Sequence, residues 1–137
     1  MRKWMGMVLS TFLIFFVIAT DVFATEETKR LWQDESMYNL IVDRFFNGDL
    51  ANDFTVNTKD ELSYHGGDFQ GVRRKLDYIQ TMGFTIIRLG VIFDQRAYSR
   101  SGTDTIDFYK PEEHYGTLNE FKQLVKEAHK REIKVMI

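Results

Sequence analysis

The stretch from Met37 to Asp68 restricts this chain more than any other. It opens as Met-Tyr-Asn-Leu-Ile-Val-Asp-Arg-Phe-Phe, Met37 to Phe46, a run dense in β-branched and aromatic residues. Leu40 and Val42 point one way, and Tyr38, Ile41 and Phe45 supply apolar side chains elsewhere. That pattern predicts a strand buried on both faces, as in a parallel sheet covered by helices. The strand runs into Asn47-Gly48-Asp49-Leu50-Ala51-Asn52-Asp53, where two amides and two carboxylates crowd into seven residues. Further on, His65-Gly66-Gly67-Asp68 leads into a helix. Asn47, Asp49, Asn52 and Asp53, with Asp68 and the Gly66 carbonyl, are the oxygen donors a hard cation such as Ca2+ takes. A plainer reading stands beside it. Asn-Gly-Asp is a common turn, and Asp68 is well placed as the N-cap of the next helix. One aspartate can fill both roles.

The rest of the chain alternates helix and strand. Phe69, Val72, Leu76 and Ile79 make an apolar stripe over Phe69 to Met82, with Arg73, Arg74 and Asp77 opposite and Gly83 at the end. Thr85 to Leu89 is a second strand. A long loop is expected from Gly90 to Gly116. Thr117 and Glu120 have capping-box spacing and open a second helix with Leu118, Phe121, Leu124, Val125 and Ala128 inward. Ile133 to Ile137 is a third strand. Strand, helix, strand, helix, strand is the opening of an α/β parallel sheet with right-handed crossovers.

Residues 1–24 read as a secretory signal peptide. Arg2 and Lys3 precede an apolar run, and Val22-Phe23-Ala24 offers a cleavage site. The run is short of the ~20 residues a spanning helix needs, so no stable membrane anchor is expected. Residues 25–36 form a lead-in in which Trp32 is expected to pack, and residues 37–137 are the folded part. The chain has no cysteine, so no disulfide staples it. Its net charge of −2, with no basic run, argues against a nucleic-acid partner.

Tyr38-Asn39-Leu40-Ile41-Val42-Asp43-Arg44-Phe45-Phe46-Asn47-Gly48-Asp49 with Asn52-Asp53, then Tyr64-His65-Gly66-Gly67-Asp68-Phe69-Gln70-Gly71, closely resembles the N-terminal end of secreted α-amylases. These belong to glycoside hydrolase family 13, with the cyclodextrin glycosyltransferases. The likeness continues through Lys75 to Ile79 and Met82 to Thr85. It resumes at Asp104 to Tyr109 and runs from Glu113 through Leu118 to Ile133-Lys134-Val135. The resemblance implies the N-terminal part of a (β/α)8 barrel, incomplete in this chain, in a secreted monomeric hydrolase acting on α-1,4-glucans. It implies a structural Ca2+ held by Asn47, Asp49, Asn52, Asp53, Gly66 and Asp68.

Some positions depart from the family. Arg88 stands where relatives usually carry Trp, Gly90-Val91 where they have Thr or Ser then Pro, and Glu132 where they have Gly. Their Tyr-His-Gly-Tyr is here Arg100-Ser101-Gly102-Thr103, which lacks the ring that stacks on the sugar and the imidazole that bonds its hydroxyls. In the family, the nucleophile and general acid lie at strands four and five, beyond the match. The expectation is therefore an amylase-type gene product represented by its first part, with these 137 residues inactive alone. Asp43, Asp104, Asp107 and His114 are assigned no catalytic role. Asp43 is expected to cap or pair locally, and Asp107 and His114 to organise their loop. The alternative is a non-catalytic secreted protein that binds calcium and glycan.

Overall fold

The computed structural model describes residues 30–96 and 104–137. Residues 1–24, expected to be a signal peptide, and the altered loop 100–103 lie outside them. The chain divides into two units, Met1–Leu31 and Trp32–Ile137, and the second carries the fold.

Three short parallel strands form its sheet: β1 (Met37–Leu40), β2 (Ile86–Leu89) and β5 (Lys134–Met136), in the order β1-β2-β5. Met37 pairs with Ile86 and Leu40 with Leu89, while Ile86 pairs with Lys134 and Arg88 with Met136. Parallel neighbours need crossovers, and helices supply them. The first crossover carries α1 (Val42–Phe45), α2 (Phe69–Arg74) and α3 (Leu76–Thr81); the second carries α4 (Leu118–His129). Phe69, Val72, Leu76 and Ile79 are wholly buried, as their spacing predicts, and they share a core with Ile87, Leu89, Leu124, Ala128 and Ile133. Phe69 meets Phe121 of α4 with ring centroids 5.3 Å apart. The capping box forms, with Thr117 and Glu120 bonding each other's backbone N–H.

Several expectations are corrected. The first strand ends at Leu40 instead of Phe46, and the chain winds into a single helical turn, α1, leaving Ile41 exposed. The turn buries Val42 and Asp43, and the bonds Asp43 makes there override the strand propensity of the run. The first helix breaks at Lys75, whose backbone leaves helical geometry between α2 and α3, with its ammonium 4.1 Å from the centre of the Phe46 ring. Leu118 is exposed because it is the first residue of α4 and sits ahead of the buried face. Trp32 is exposed in a 3₁₀ turn, Trp32–Asp34, where its ring lies beside the Lys134 ammonium. The Gly90 to Gly116 connection contains an antiparallel pair, β3 (Phe93–Gln95) and β4 (Thr105–Pro111). Among the described residues, no helix is long and apolar enough to cross a membrane.

Candidate functional site

Two buried aspartates organise the connection between β1 and α2. Asp68 caps α2 by accepting the Gly71 N–H on Oδ1 at 2.6 Å. Its Oδ2 takes the N–H groups of Gly48 and Asp49 at 2.9 and 2.8 Å, so one carboxylate fastens the 47–53 loop to the helix start. Asp43 does the same from the other side. Its Oδ1 accepts from the N–H groups of His65 (2.7 Å) and Gly66 (3.3 Å), and Oδ2 faces Arg44 Nε at 2.9 Å. The segments touch backbone to backbone. A Cβ on Gly67 would lie 2.0 Å from the Val42 oxygen, and one on Gly71 1.7 Å from the Phe46 oxygen.

The oxygen donors lie along the same loop. Asn47 Nδ2 donates to both carboxylate oxygens of Asp53, at 2.9 and 2.8 Å. Gly66 is left-handed (φ 87°), and a Cβ there would sit 2.7 Å from Asn47 Nδ2 and 2.8 Å from Asp53 Oδ1. The fold therefore brings Asn47, Asp53 and Gly66 together across a turn. The Asn47 and Asn52 Oδ1 atoms are buried, and no hydrogen-bond donor reaches them among the described residues. Buried acceptors of this kind normally have partners. Asp49 is engaged differently: Oδ1 accepts from Ala51 N–H and Oδ2 from Gln70 Nε2, both at 2.9 Å, and Gln70 Nε2 also donates to Glu120 Oε1 at 2.7 Å. Among the described residues, no three His, Cys, Asp or Glu side chains gather closely enough to hold a metal by themselves. An ion here would depend on amide and carbonyl oxygens as much as on carboxylates.

A second cluster supports this loop. Glu112 is buried; its Oε1 accepts from His114 Nδ1 at 2.7 Å and its Oε2 from the Gln95 N–H at 3.0 Å. Burial alone would raise the Glu112 pKa, but the bonds from His114 and Gln95 outweigh it and hold the carboxyl below its ordinary value. His114 Nε2 is 3.0 Å from Thr55 Oγ1, and the imidazole stacks on Tyr64 with centroids 3.7 Å apart. Thr55 adopts φ 66°, a left-handed conformation that costs a β-branched residue roughly 1–2 kcal/mol. The Tyr64 phenol is raised, first by burial and then by the Glu112 charge.

These contacts go beyond what the sequence reveals. Asp43 pairs locally with Arg44 as expected, but it also fastens a turn more than twenty residues away. A lone carboxylate in an apolar run was the available signal. His114 organises a loop as expected, but the loop is the distant one carrying Thr55. Asp107 accepts from the Tyr109 N–H. Arg88 lies on β2 and donates to Asn39 Oδ1 at 3.1 Å. Glu112, Thr55 and the Gln70–Glu120 link had no sequence signal.

The family model described as alpha amylase, catalytic domain, matches residues 39–137. The beta/alpha-amylase of Paenibacillus polymyxa is 43% identical over 111 residues, covering 77% of this chain and 9% of that protein. Alpha-amylase 2 of Schwanniomyces occidentalis is 40% identical over 112 residues, covering 77% of this chain and 22% of that protein. Among solved structures, an Anoxybacillus α-amylase shares 55% identity with a TM-score of 0.76, over 78% of this chain and 24% of that one. The Geobacillus thermoleovorans α-amylase, solved with acarbose, shares 48% identity with a TM-score of 0.71, over 78% of this chain and 23% of that one. The chain thus spans less than a quarter of the length of these relatives. It belongs to the α-amylase family of glycoside hydrolases and matches part of their catalytic domain.

Proposed function

We infer that this chain is the N-terminal part of a secreted, retaining α-amylase-type hydrolase acting on α-1,4-glucans such as starch. Its three parallel strands supply the opening of a (β/α)8 barrel, which takes eight βα units to close. The observation that carries this reading is the family match from residue 39 to residue 137, on a sheet whose strands are all parallel. A structural relative holds acarbose, which supports an α-glucan as the ligand of the whole enzyme. Retaining glycosidases work with two carboxyl groups about 5–5.5 Å apart. The 137 residues alone are inactive, because no carboxyl group here is assigned either role. Sequencing the gene past codon 137 tests this. An open frame running on into the carboxylates of strands four and five supports the reading, and a stop codon at 138 contradicts it.

The same segment binds a structural Ca2+ through Asn47, Asp49, Asn52, Asp53, the Gly66 carbonyl and Asp68. Support comes from the two buried amide oxygens without donors and from the glycine that brings Asn47 and Asp53 against its own backbone. A carboxylate offers about four acceptor sites, so Asp68 can serve an ion while keeping three N–H bonds. When bound, the ion closes a long loop in a chain that has no disulfide. The second reading, a non-catalytic calcium- and glycan-binding protein, is favoured by Ser101 and Thr103 standing where relatives carry His and Tyr. A starch-clearing assay on the gene's whole product separates the two.

A further inference from the structure

We propose that Glu112, His114 and Thr55 are positioning residues for the ion site, setting its affinity without touching the ion. This rests on the calcium reading above. The oxygen donors come from two arms, 47–53 and 66–68, and a single imidazole seats the residues that flank both. Thr55, two residues after Asp53, meets its edge at 3.0 Å, and Phe54 lies 4.3 Å from its centre. Tyr64, two residues before Gly66, covers its face at 3.7 Å and an interplanar angle of 10°.

The chemistry of the ring follows from its partners. A carboxylate can only accept, so His114 Nδ1 carries the proton bonded to Glu112 Oε1. Nε2, on the other side of the ring, bonds the Thr55 hydroxyl at 3.0 Å, accepting from it when the ring is neutral and donating to it when the ring is charged. That bond holds Thr55 in a backbone conformation a β-branched residue otherwise avoids. Release of Thr55 lets the chain relax immediately after Asp53, whose carboxylate would then swing away from Gly66. Glu112 is itself fixed from the hairpin side by the Gln95 N–H, so the ring cannot drift with the loop. This is the arrangement by which residues outside a coordination sphere orient those inside it.

The test measures the Ca2+ dissociation constant by competition with a chelating dye, and the melting temperature in excess EDTA, on the full chain. Thr55→Val removes the hydroxyl at constant shape, Thr55→Ser keeps it, and His114→Phe keeps the ring stack while losing both polar bonds. Asp53→Ala is the ligand control. Thr55→Val and His114→Phe are expected to weaken Ca2+ binding about 10–100-fold, with Thr55→Ser close to the unmodified chain. Unchanged Ca2+ affinity in Thr55→Val, beside loss of binding in Asp53→Ala, overturns the positioning role and leaves the ion site standing. An unmodified chain that takes up no Ca2+ overturns both. If His114→Phe does not fold, the Thr55→Val and Thr55→Ser pair decides the matter.

Discussion

At the scale of residues, single buried carboxylates do work that apolar packing cannot. Asp43, Asp68 and Glu112 each join segments far apart in sequence by accepting backbone N–H groups. Glu112 is held below the ordinary carboxylate pKa despite its burial. A depressed carboxyl contributes stability that is present above the unfolded value and lost as pH falls through the folded one. Glu112→Gln is therefore expected to lower stability at neutral pH, with the gap to the unmodified chain closing below about pH 4.3. Urea denaturation across pH 3 to 7 checks this, and a gap that widened in acid would contradict it. Two glycines give a paired prediction. Gly83 is left-handed with open space around its missing Cβ, so Gly83→Ala is expected to cost about 1 kcal/mol, from backbone strain alone. At Gly66 a Cβ meets Asn47 and Asp53 within 3 Å, so Gly66→Ala is expected to cost more and to impair Ca2+ binding as well. Equal losses at the two positions would contradict the packed turn.

At the scale of elements, the helices preceding β2 and β5 end in the same way. Gly83 donates to Gln80 and Phe84 to Ile79; Glu132 donates to His129 and Ile133 to Ala128. Both are left-handed C-terminal turns, but the second puts Glu132 at φ 57°. Glu132→Gly is expected to raise the melting temperature by the equivalent of roughly 1 kcal/mol, and a fall would mean that the glutamate's own contacts outweigh its strain. The turn at Gly83, the capping box and the buried stripe of α2 and α3 were legible in the sequence because local spacing decides them, whereas the turn at Glu132 was signalled only by the glycine that the resembled family carries there. The end of β1 was not. Val42, Phe45 and Phe46 favour a strand, but Asp43 must face the turn at Gly66, and that distant partner is invisible locally. The hairpin of β3 and β4 escaped for a related reason: its strands are tied across a bulged register, with Gln95 held by Glu112. In the connection between β1 and α2, the residue types pointed to oxygen ligation. What the spacing could not tell is that Asp49 and Asp68 spend much of their bonding on backbone and Gln70, while Asn47, Asp53 and Gly66 converge.

At the scale of the molecule, a small parallel sheet is joined by two long crossovers, and the chain has no disulfide to shorten either. We propose that a divalent ion joins the two arms of the first crossover, 47–53 and 66–68, and thereby stabilises the unit Trp32–Ile137. A ligand that binds the folded state alone, at 100 times its dissociation constant, adds about 2.7 kcal/mol. In a domain of this size that is on the order of 10 °C in melting temperature. The most direct measurement is the melting temperature of the purified chain as Ca2+ is titrated in from an EDTA-treated state. A saturable rise on that order is expected, lost in Asp53→Ala. A melting temperature indifferent to Ca2+ in both proteins would contradict it.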